Sequence, residues 1–63
     1  MRAEFEQAVT GLFCDKVDQI LEYQYGLSDG GDLCFNLIEM GVIKITDDVN
    51  QAARVVAQHI QQA

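Results

Sequence analysis

Sixty-three residues carry ten acids against four bases, for a formal net charge of −6, and 49% of them are hydrophobic. That length allows one domain, residues 1–63, and a chain this short buries only about 60% of its unfolded surface, so its core is marginal. The acidity argues against direct contact with a phosphate backbone, the apolar content against an unfolded chain, and the lack of any run of roughly 18 apolar residues against a membrane span.

The first segment is expected from about Ala3 to Tyr25. Phe5, Val9, Leu12, Phe13, Val17, Ile20 and Leu21 recur at three- and four-residue steps, which is the helical period. At about 100° per residue they cover more than half of the helix circumference, so this helix needs two neighbours. Glu4, Asp15, Asp18 and Glu22 form the opposite, acidic face. Gly11 falls inside the periodic stretch, where it costs about 1 kcal/mol against alanine. Its expected return is the close approach of another backbone.

Gly26 closes that segment, and "SDGGD" leads to a second helix expected from about Asp32 to Met40. Ser28, Asp29 and Asp32 each carry an oxygen able to cap it, and Gly41 suits the position just past its end. Leu33, Cys34, Phe35, Leu37, Ile38 and Met40 leave only Asn36 and Glu39 polar, so this helix is expected to be buried on most sides.

"VIKI", Val42 to Ile45, is β-branched and short. It is expected to be extended, with Ile43 and Ile45 inward and Lys44 outward. The third helix is expected to open at Thr46 as N-cap, with Asp47 and Asp48 at the positive end of its dipole. Val49, Ala52, Ala53, Val56 and Ile60 give it a narrow apolar stripe ending near Ala63, with alanines permitting close approach. Asn50, Gln51, Arg54, Gln58, Gln61 and Gln62 form its solvated face.

Chemistry-bearing residues are few. The Gly-Gly loop lacks the alternating acids and final glutamate of an EF-hand and the lysine of a phosphate-binding loop, so it reads as a capping turn. His59 is the single histidine, and no CxxC or HxxxH spacing offers a zinc site. Cys14 and Cys34 read as small buried hydrophobes. No secretory signal is visible in "MRAEFEQ", so two thiols point to a reducing, cytoplasmic setting. No cofactor, metal or catalytic residue is expected. The chain resembles acyl carrier proteins in charge and helix count, with Ser28 near a helix start. Their Asp-Ser-Leu signature reads Leu27-Ser28-Asp29 here, which leaves a carrier or small-ligand-binding domain as the alternative.

The expectation is an all-α, small three-helix bundle completed by homodimerisation, because three short helices cannot hide this many apolar side chains. Tyr23, Tyr25, Phe35, Met40 and Val42 are the candidate interface. Glu4, Asp15, Asp18 and Glu22 would steer approach to a basic partner surface. The expected function is a non-enzymatic protein–protein interaction module, acting as a small regulator, inhibitor or accessory subunit of the kind phage and mobile elements encode.

Overall fold

The computed structural model describes residues 2–28 and 30–62. It is all-α, with no strand among those residues. Helix α1 spans Arg2–Ile20 and continues without a break into a π-helical turn, Leu21–Tyr25; α2 spans Gly30–Glu39 and α3 spans Val49–Gln62. Among the described residues no helix is long and apolar enough to cross a membrane.

The first helix ends where the sequence places its glycine. Gly26 adopts φ 64° and ψ 26°, a left-handed conformation that a Cβ would disfavour. Its amide and that of Leu27 both donate to the Leu21 carbonyl. The widened last turn brings Leu27 back onto the core, where it is half-buried.

The second helix begins at Gly30, two residues before Asp32. Asp32 therefore lies within its first turn, and Asp29, another candidate cap, lies outside the described residues. The reason for the early start is spatial. A Cβ at Gly30 would collide with the Leu21 side chain, so only glycine lets α2 begin this close to α1. Gly11, by contrast, has nothing within 4 Å of where a Cβ would stand. The close approach expected there is at Gly30 instead.

Helix α2 ends in a Schellman motif. Gly41, at φ 79°, donates to the Ile38 carbonyl at 3.0 Å, and Val42 donates to Leu37 at 2.9 Å. These bonds fold residues 42–45 back against the helix, so "VIKI" is a bent connector rather than an extended one. Ile43 is buried, Ile45 half-buried and Lys44 exposed. Asp47 then closes a turn: its amide donates to the Lys44 carbonyl at 3.0 Å, and its carboxylate accepts from the Lys44 amide at 2.9 Å. That turn delays the third helix. Asp48, not Thr46, is its N-cap, accepting from the Gln51 amide at 3.2 Å.

The core joins all three helices. Phe13, Cys14, Val17 and Leu21 come from the first, Cys34 and Leu37 from α2, Ile43 from the connector, and Ala52, Ala53, Val56 and Ala57 from α3. Three alanines on α3 keep its axis near its neighbours. Helix α2 buries one side only. Leu33 and Ile38 flank Cys34 and Leu37, while Phe35 and Met40 face water, so the expectation of burial nearly all round does not hold.

Candidate functional site

The core begins at Phe13, yet α1 begins at Arg2. Residues 4–8 are all exposed, so the first turns of α1 extend beyond the bundle as an arm. The molecule accordingly measures 36 × 21 × 18 Å. Phe5 is 71% exposed and Leu12 64%, although the helical period places both on the apolar side. The reason lies in how α1 is shared. Phe13, Cys14, Val17 and Leu21 supply the buried strip, while Phe5 and Leu12 lie about 80–180° round the helix from them.

Tyr23, 90% exposed, follows on the same outer side. Phe5, Leu12 and Tyr23 stand at intervals of seven and eleven residues, close to two and three full turns at about 3.6 residues each. The outer face of α1 therefore carries a discontinuous apolar stripe, three large side chains with Lys16 and Gln19 between Leu12 and Tyr23. The sequence places Phe5 and Leu12 on the apolar face expected to be covered by two neighbouring helices. The available signal was this repeat, offset from the Phe13–Val17–Leu21 repeat.

Grooves mark the surface of the described residues. One, of about 390 Å³, is lined by Lys16, Gln19, Ile20, Tyr23, Gln24 and Val49. It sits where the C-terminal half of the stripe meets the start of α3. Another, of about 420 Å³, lies over the connector and is lined by Val42, Ile43, Asp47, Asp48, Gln51, Ala52 and Val55. Of the five candidate interface residues, Tyr23 lines the first groove and Val42 the second. Met40 projects at the end of α2, and Tyr25 and Phe35 are each just over one-third exposed. All five reach water, but neither groove gathers more than one of them.

The acidic face is narrower than expected. Glu4, Asp15 and Glu22 are exposed. Asp18 is half-buried, and its Oδ1 is buried with no hydrogen-bond partner among the described residues. It lies beside the first turn of α2, 3.7 Å from where a Gly30 Cβ would stand, at the positive end of that helix. Asp18 thus belongs to the contact between α1 and α2 rather than to the solvated stripe.

The two thiols are free and buried. Burial pushes both above the ordinary thiol range, Cys34 to about 12, and a hydrogen bond with Cys14 helps hold the Cys34 proton in place. A thiol kept protonated in an apolar setting is a poor nucleophile and a poor metal ligand. His59 is exposed, with Nδ1 3.0 Å from the Val55 carbonyl one turn back. That contact puts the proton on Nδ1 and ties the ring to its own helix. No group of three or more metal-ligating side chains occurs among the described residues. Ser28 is exposed in the loop before α2.

Comparison with known proteins adds no functional assignment: no family model, no curated protein and no solved structure matches the chain.

Proposed function

We propose that this protein is a non-enzymatic interaction module, a small regulator, inhibitor or accessory subunit whose contact surface is the outer face of α1. The observation that carries this reading is the stripe itself. Leu12 and Tyr23 are held in water by the part of the helix whose other side is already committed to the core, and Phe5 stands on the arm beyond it. An isolated exposed apolar residue is ordinary, but several large ones along one helical face mark a contact surface. Aromatic side chains supply most of the binding energy at such surfaces. The exposed acids Glu4, Asp15 and Glu22 border the stripe and govern the charge of the approaching surface. A second copy of the chain is among the partners this reading admits.

The test is site-specific photo-cross-linking in native lysate. Benzoylphenylalanine at Tyr23 should yield a discrete adduct, and the same probe at Gln58, on the solvated face of α3, should not. Equal labelling at both positions, or none at Tyr23, would remove the outer face of α1 as the contact surface.

A further inference from the structure

We infer that Cys14 and Cys34 form a modification site, a dithiol built into the contact between α1 and α2 that a low-molecular-weight disulfide oxidises to a bridge within the chain. The inference goes beyond the contact-surface reading above and holds whatever partner that surface takes.

Placement supplies the first argument. The chain holds 2 cysteines, and the fold brings both into one core. Residues 26–29 alone separate the π-helical turn from α2, so the second helix returns along the first. Gly30 stands against the side chains of Leu21 and Asp18. Cys34 is one turn further along α2, about 6 Å on. In an antiparallel pair that step leads one turn back along α1, to Cys14 and Val17. The side chains meet as this register requires, for a hydrogen bond joins Cys34 to Cys14. The missing Cβ of Gly30 keeps the two axes close at this level. A bridge needs Cα atoms within about 7 Å and side chains pointing toward each other. Two sulfurs in hydrogen-bond contact across closely packed helices supply the second condition and are compatible with the first.

The order of reaction follows from the surroundings of each sulfur. Burial raises both thiols; the hydrogen bond, donated by Cys34, opposes that rise at Cys14 and adds to it at Cys34. Cys14 is also the less enclosed, at 5% exposed against 0%. It is therefore the first nucleophile. Its sulfur attacks one sulfur of the reagent disulfide, and the first reagent thiolate leaves and takes up the Cys14 proton. Cys34 then attacks the Cys14 sulfur of the mixed disulfide, and the second reagent thiolate leaves with the Cys34 proton. Two cysteine thiols and one reagent disulfide become one protein disulfide and two reagent thiols, with two electrons passing to the reagent. The closed core gives the reagent little access, so α2 must lift from α1 for the first step, and the bridge forms as the helices close again.

The consequence is a staple in a domain of the size that profits from one. The bridge closes a loop of about 20 residues, which in the chain-entropy account shifts the unfolding equilibrium about a hundredfold toward the folded state. By linkage the same factor separates the oxidation constants of the folded and unfolded chains.

Equilibration of the purified full chain in mixtures of oxidised and reduced glutathione, in buffer and in unfolding urea, tests the inference. Equilibrium is approached from both the reduced and the oxidised chain, the samples are quenched in acid, and intact mass and peptide mapping read the products. The expected product in buffer is a single chain lighter by two hydrogens, with Cys14 linked to Cys34. Its oxidation constant should exceed that in urea by about a hundredfold, and the bridged chain should melt about 10–25 °C higher than the reduced one. Thiols still free in buffer where the unfolded chain has oxidised, glutathione adducts or bridges between chains as the main product, or like constants in buffer and urea would overturn the assignment.

Discussion

Gly30 and Gly31 are neighbours in the first turn of α2, and the structure gives them opposite responses to the same substitution. At Gly31 an added Cβ meets nothing within 4 Å. Gly31→Ala removes freedom from the unfolded chain and should stabilise by about 0.5–1 kcal/mol. At Gly30 the Cβ collides with Leu21 Cδ1 and touches Leu21 Cγ at 3.5 Å. The end of a leucine could swing aside on a surface, but Leu21 is wholly buried. Overpacking of that kind costs about 1–3 kcal/mol, against a helix-propensity gain of at most about 1 kcal/mol. The net expectation for Gly30→Ala is a loss of up to about 2 kcal/mol, which for a domain this small lowers Tm by up to about 16 °C. Thermal and urea unfolding followed by circular dichroism measures both variants. Placing Gly30→Ala in a Leu21→Val background should recover part of the loss, because the colliding methyl is then withdrawn. A Gly30→Ala protein as stable as the parent, or two variants that shift together, would refute the packing argument.

Other expectations follow from the same contacts. Asp48→Ala should lower stability by about 1 kcal/mol through loss of the α3 cap, whereas Thr46→Ala should leave the urea midpoint unchanged. Leu37→Ala, which empties a fully buried position, should cost about 2–5 kcal/mol and leave a marginal domain largely unfolded by circular dichroism at room temperature. Alkaline pH should destabilise the protein in a defined window. Unfolded thiols ionise near 9.0, while folded Cys34 keeps its proton to about 12, so above pH 9 the unfolded state binds fewer protons and is favoured. Urea midpoints should fall between those limits, and the fall should be shallower in Cys34→Ala; identical slopes would deny the buried thiol a part in it.

The three helices were legible because their apolar periods and glycine stops are local signals. Gly26 and Gly41 end helices as their sequence positions imply, each at positive φ. The start of α3 was harder to read. Thr46, Asp47 and Asp48 can all cap, and the choice falls to Asp48 because Asp47 is engaged with Lys44. "VIKI" carried a β-branched signature, but the Schellman bonds of α2 override that preference. The stripe was the largest misreading. Periodicity reports that Phe5 and Leu12 are apolar and in phase; it does not report where the neighbouring helices stop covering them. Asp18 misled in the opposite way, because a carboxylate in an acidic row gives no hint that another helix begins beside it.

The arm formed by the first turns of α1 has a consequence for its own persistence. With no bundle behind residues 4–8, those turns rest on their own helical propensity, which in so short a stretch is weak. Their amides should exchange with solvent far faster than those around Val17. Gly11 follows that stretch with nothing within 4 Å of where a Cβ would stand, so Gly11→Ala should raise the helicity of the arm without adding a single contact to it.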